Sequence, residues 1–183
     1  MQKIIPWLTA GFFALSIHSA FAKTPTETAH EYFAAFQQGN YQGLATMYDP
    51  AALQSFREMM GFLTELDLGD DGEVLATLFG PEATVQTVNK MSDQEFFALF
   101  FENVFAQVQS MGELSFDNMK IIGEVKESDN LVHVLARNKT SIGEMEIEAM
   151  EVISFKQVGE DWKVLLSGEI KGMANQMRQA LGI

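Results

Sequence analysis

The spacing of apolar residues changes once along the chain, from a helical period to an alternating one. In the helical part, Thr24-Pro25-Thr26-Glu27 forms a capping box with proline at the first helical position. Ala29, Tyr32, Phe33 and Phe36 follow at i, i+3, i+4 and i+7, and Gly39 closes the helix. Asn40 caps a short second helix through Met47, and Asp49-Pro50 opens a third with Leu53, Phe56, Met60 and Leu63 on its apolar stripe. A polar break from Asp67 to Glu73 precedes a further short helix expected over Glu73 to Phe79, ended by Gly80-Pro81. Ser92-Asp93-Gln94-Glu95 is a second capping box, and the helix it opens is expected to run to about Met111. Its apolar arc, Phe96, Phe97, Phe100, Phe101, Val104, Phe105 and Val108, is wide enough to require burial on most sides. Those rings form a central core, or some of them line a cavity or a dimer contact.

From Leu114 the period is two, and four strands are expected at about 114–126, 131–141, 144–157 and 162–170. An amphipathic helix from Lys171 to Leu181 follows. The predicted fold class is α+β, with N-terminal helices packed on a curved, cone-like antiparallel meander of four strands and a C-terminal helix. A two-residue turn at Ile142-Gly143 pairs Lys139 with Glu146 and Arg137 with Glu148, which makes one face of that hairpin solvated. The opposite face carries Val132, Val134, Ala136, Asn138 and Thr140 against Met145, Ile147, Ala149, Glu151 and Ile153. Continued outward, it takes in Val125, Gly123, Ile121 and Met119 on the first strand, so one row reads Gly123, Val134, Glu151, Gly168.

A lone glutamate on an apolar face is the main anomaly, because a buried carboxylate must be paired or protonated. Glu151 is then an acid/base or ligand-binding group in a cavity left open by the glycines, or it is turned outward by a bulge, or it is paired with a buried donor.

Composition narrows the rest. The chain has 183 residues, 47% of them hydrophobic, a formal net charge of −13 and no cysteine. This excludes disulfides, zinc–thiolate sites and cysteine nucleophiles, and the acidic excess argues against nucleic acid or an anionic membrane surface as partners. Met1-Gln2-Lys3, the apolar run Ile4 to Ile17 and Ala20-Phe21-Ala22 form the three-part pattern of a secretory signal, with cleavage before Lys23. Residues 23–183 are then expected as one periplasmic or secreted domain, not held in a membrane after cleavage. Cleavage removes one basic residue, Lys3, so 11 basic and 25 acidic groups remain and the net charge becomes −14.

Two histidines lie beyond the signal, and the derived register puts His133 opposite Val152, on the Arg137/Lys139 face and away from Glu151. A His–Glu dyad is thus not supported, and no metal site or cofactor is expected. The break at Asp67 departs from a calcium loop, with Gly69 at its third position and Leu78 at its twelfth.

The opening Glu31-Tyr32-Phe33-Ala34-Ala35-Phe36-Gln37-Gln38-Gly39-Asn40-Tyr41, the following Leu44-Ala45-Thr46-Met47-Tyr48 and the closing Glu160-Asp161-Trp162-Lys163-Val164 resemble the nuclear-transport-factor-2-like superfamily. That superfamily includes ketosteroid isomerases, scytalone dehydratase and polyketide-cyclase-like proteins. The chain departs from it between Asp49 and Met111, which reads as helices where many relatives insert a hairpin. The resemblance implies a pocket between sheet and helices, catalytic in some members and a binding or dimerisation site in others. No catalytic set of the named enzymes matches residue by residue, so none is transferred.

The pocket candidates are Glu151, Asn138 and Thr140 from the strands, with Tyr32, Tyr48, Phe97 and Phe101 from the helices. The expected function is non-enzymatic binding of a small apolar or amphipathic ligand or of a protein partner, with homodimerisation through the sheet as a further mode. The alternative is an acid/base lyase or isomerase using Glu151, with Tyr32 or Tyr48 as hydrogen-bond donor.

Overall fold

A computed structural model of the chain describes residues 23–66, 72–112, 114–142 and 145–182. The expected signal at 1–22, most of the break at Asp67 and the turn glycine Gly143 lie outside the described residues.

The protein is α+β. Its elements run α1 (Pro25–Gln37), α2 (Tyr41–Met47), α3 (Pro50–Met59), α4 (Phe62–Leu66), α5 (Glu73–Phe79), α6 (Val85–Lys90) and α7 (Asp93–Met111). Four strands follow, β1 (Leu114–Ser128), β2 (Leu131–Ile142), β3 (Met145–Val158) and β4 (Asp161–Val164), and then α8 (Gly168–Leu181). The sheet is antiparallel in the order β1-β2-β3-β4.

The capping signals act where the sequence places them. Thr24 and Ser92 form reciprocal boxes with Glu27 and Glu95, and Asn40 and Asp49 cap α2 and α3 through Gly43 N and Ala51 N. The third helix is interrupted, however. It ends at Met59, and α4 restarts at Phe62 with Leu63 still buried beside Met60, because Gly61 sits at the break and lowers helix propensity there. Helix α6 carries a capping box of its own, Thr84 with Thr87, which the apolar pattern alone does not reveal.

The hairpin register departs from expectation by two residues. Ile142 pairs with Met145, so the connection is residues 143–144, and Lys139 lies opposite Glu148 and Arg137 opposite Met150. The charge pairs survive as diagonals, with Arg137 3.2 Å from Glu148 and Lys139 2.9 Å from Glu146. A slip of two keeps every side chain on its face, whereas a slip of one would reverse them all. Such a reversal does occur in β1. The ladder shifts between Ile121 and Gly123, so Ile121 stays opposite Ala136 while Gly123 and Val125 pair with Leu135 and His133 on the outer face. Val125 is consequently 64% exposed, and Glu124 comes to the helix side, where the Thr26 hydroxyl donates to it at 2.8 Å.

Phe155 pairs with Val164, and the β3–β4 loop is only Gly159-Glu160, with Gly159 at φ +64°. Strand β4 stops at Val164, not near residue 170, and Ser167 caps α8 through Ile170 N. The expected row Gly123–Val134–Glu151–Gly168 therefore does not form. Glu151 lies opposite Ala136, beyond which stands Ile121, and Gly168 begins a helix.

The core joins the helices to one sheet face. Phe56 and Phe100 are fully enclosed among Leu53, Leu63, Leu75 and Phe79, while Val134, Ala136, Ile153 and Phe155 supply the sheet side. At the junction with β4, Tyr48 bridges to Val164, and Asp49 N–H donates to the Val164 carbonyl at 2.9 Å. Arg57 ties α3 to the α6–α7 connection. It donates to the Val88 and Met91 carbonyls, pairs with Asp93 at 3.3 Å and stands 5.1 Å from the centre of the Phe96 ring.

Candidate functional site

The structure brings all seven pocket candidates to two adjoining hollows that share Tyr32, Phe36 and Glu151. The first, of about 180 Å³, is walled by Tyr48, Phe97, Phe101 and Phe105 and closed on the α8 side by Ser167, Glu169 and Ile170. The second, of about 260 Å³, is bounded by Met119, Asn138 and Thr140. Each is smaller than the roughly 300–1,000 Å³ usual for drug-sized ligands.

Local sequence explains who points inward. On α1, Tyr32 and Phe36 are four apart and share a face, while Phe97, Phe101 and Phe105 do the same along α7. The phenylalanine arc of α7 thus divides between two tasks. Phe96 and Phe100 pack on Phe56 and Phe79 in the core, and the adjacent face supplies the aromatic wall of the first hollow.

Two polar pairs interrupt this wall. The hydroxyls of Tyr32 and Tyr48 are 3.1 Å apart, and both phenols are held protonated well above their ordinary range. Burial is the main cause in each case. It pushes Tyr32 up to about 12 against the opposing effect of its hydrogen bond to Tyr48, with the negative charges of Glu151 and Glu169 adding to the rise. The second pair is on the sheet, where Asn138 Nδ2 donates to Glu151 Oε1 at 2.9 Å. Glu151 is therefore neither turned away by a bulge nor left unpaired; it is half-buried with an amide donor. That bond also orients the Asn138 amide, leaving its Oδ1 buried without a hydrogen-bond partner.

His133 belongs elsewhere. On the outer face its Nδ1 lies 2.9 Å from the Ser154 hydroxyl and its Nε2 2.6 Å from Glu127, and its strand partner is Ser154 rather than Val152. It lines neither hollow, consistent with separation from Glu151. Among the described residues, no three His, Asp or Glu side chains group closely enough to hold a metal ion. No described helix is long and apolar enough to cross a membrane. Sequence reasoning missed Ser167, Glu169 and Ile170 because it placed this segment partly in a fourth strand; the serine-cap pattern before Ile170 is the signal that locates it.

Compared with known protein families and with curated proteins, the chain matches none.

Proposed function

We propose that this protein is an exported, nuclear-transport-factor-2-like binding domain whose paired hollows take a small amphipathic ligand. The observation that carries the reading is the convergence of two polar pairs, Tyr32–Tyr48 and Asn138–Glu151, on cavities otherwise walled by phenylalanine rings. Apolar walls with a few convergent polar groups are what binding and orienting a small molecule require. The opening amphipathic helix, the sequential four-stranded meander and the tryptophan-bearing last strand support the family reading. The basic, apolar and small-residue pattern of the first 22 residues supports export to the periplasm or medium.

A second reading, acid/base catalysis, is favoured by one specific feature. A carboxylate and a phenol that stays protonated to about 12 share both hollows, which suits proton removal by Glu151 and hydrogen-bond donation by the tyrosine pair. Partner docking or homodimerisation would use the outer sheet face instead, where Val125, Met150 and Val152 are exposed. Binding in the hollows is preferred because polar groups are aimed there.

The test is titration with the neutral probe N-phenylnaphthylamine. Saturable fluorescence enhancement is expected in the unmodified protein, with a loss of about tenfold or more in affinity when Ile170→Trp, at the α8 side of the first hollow, takes up its space. Absence of saturable binding, or equal binding by a folded Ile170→Trp variant, overturns the proposal.

A further inference from the structure

We infer that the ligand of these hollows carries a protonated amine, held by the Glu151 carboxylate that Asn138 orients, with its apolar part against the α7 rings. The inference rests on the binding reading above and deepens it by assigning the charge of the ligand.

The charged inventory is one-sided, while the hydroxyls of Tyr32, Tyr48, Thr140 and Ser167 can donate or accept. Glu151 offers carboxylate lone pairs beyond the single bond it accepts from Asn138, and Asn138 Oδ1 is an acceptor with no donor. Asn138 is only 7% exposed, so that oxygen has given up water without gaining a partner. A buried carbonyl in that state is costly, so the Asn138 amide is committed to holding the Glu151 carboxylate in place. The amide cannot be turned to relieve it, because rotation would place Oδ1 against the carboxylate of Glu151.

Charge points the same way. Glu169 adds a second carboxylate at the first hollow, and among the described residues neither hollow is lined by a lysine, arginine or histidine. On the outer face of the β2–β3 hairpin the carboxylates have cations beside them, Arg137–Glu148 and Lys139–Glu146; those at the hollows have none among their lining residues. Aromatic faces complete the fit, since rings attract cations and offer an anion nothing. The net charge of the whole chain, −13, favours the approach of a cation and opposes that of an anion. An anionic amphiphile such as a fatty acid would instead need a basic group that neither lining contains. The two adjoining volumes suit a small ligand with its rings or short chain against the phenylalanines and the ammonium group at Glu151.

The experiment compares three probes of matched shape by calorimetric titration: phenylbutylamine, phenylbutanol and phenylbutyrate. In the unmodified protein the amine is expected to bind about tenfold or more tighter than the alcohol, the advantage of a charge-assisted over a neutral hydrogen bond, and the carboxylate weakest. Glu151→Gln, which keeps shape and folding, is expected to erase the preference for the amine while leaving the alcohol bound. Asn138→Leu, read beside it with its urea stability, is expected to weaken the amine more than the alcohol. Equal or tighter binding of the alcohol or carboxylate overturns the amine assignment but leaves the pocket standing, as does an amine preference that survives Glu151→Gln. Failure of all three probes together with N-phenylnaphthylamine overturns the binding reading itself.

Discussion

The tyrosine pair makes a demand on stability at high pH that can be worked from the structure. Tyr32 ionises at about 12 in the native state, against an ordinary value of 10.0. Between these two values the unfolded chain has released a phenolic proton that the native state still holds. The unfolded state then carries fewer protons, so stability falls as pH rises through the interval. At about 1.4 kcal/mol for each pH unit, the full loss assigned to Tyr32 is about 3 kcal/mol. Below pH 10 that contribution is constant and complete. The perturbation is Tyr32→Phe, which removes the titrating group. At neutral pH it costs about 1–3 kcal/mol, because the Tyr48 hydroxyl, in a residue 2% exposed, loses its partner at 3.1 Å. Above pH 10 the variant escapes the Tyr32 penalty, so the gap between the two proteins narrows by up to about 3 kcal/mol as pH approaches 12. Tyr48 is raised chiefly by burial, which the variant keeps, and to a lesser degree by Tyr32, so losing Tyr32 can only narrow the gap further. The assay is urea unfolding at a series of pH values, paired with ultraviolet absorbance of tyrosinate to follow ionisation directly. Stability curves that stay parallel through the interval would refute the assignment of a raised pKa to Tyr32.

Two further substitutions test how the scaffold holds this site. Asp49, 5% exposed, caps α3 through Ala51 N at 2.8 Å and stands 3.3 Å from Lys156. Asp49→Ala is expected to lower the free energy of unfolding by about 1–3 kcal/mol and Asp49→Asn by less than about 1, since asparagine caps as well and the Lys156 partner is half exposed. Equal losses, measured by urea midpoint at constant slope, would show that the cap is not the origin. Phe56 is fully buried with four α7 phenylalanine rings within 5.2–6.0 Å, so Phe56→Ala is expected to cost about 3–5 kcal/mol. A thermal unfolding midpoint close to that of the unmodified protein would contradict the central place given to this ring.

The pocket residues were legible in unequal ways. Tyr32, Phe97 and Phe101 follow from helical spacing, and Asn138, Thr140 and Glu151 follow from alternation, which survived the two-residue error in register because two is even. The glycine row proposed around Glu151 was not legible, because an extra residue in β1 carries no mark in the apolar pattern when either phase remains partly hydrophobic. Asn138 as the donor to Glu151 was equally hidden. The two are not direct partners in the ladder but lie diagonally on one face, a contact that register and side-chain reach decide together.

What the sequence determined by itself was local: where helices begin, which face of each element is apolar, and that the alternating half of the chain is a meander. Caps, proline and glycine positions and periodicity act within a few residues, so they can be read one segment at a time. The tertiary structure decided which polar groups end up sharing a space. The meeting of the Tyr32 and Tyr48 hydroxyls, the orphaned oxygen of Asn138 and the pairing of β4 with a shortened loop all depend on packing between distant segments. Burial of an apolar face requires only that it be covered; it does not specify which neighbour covers it. Chemistry at the hollows comes from that choice of neighbour, and only the folded chain makes it.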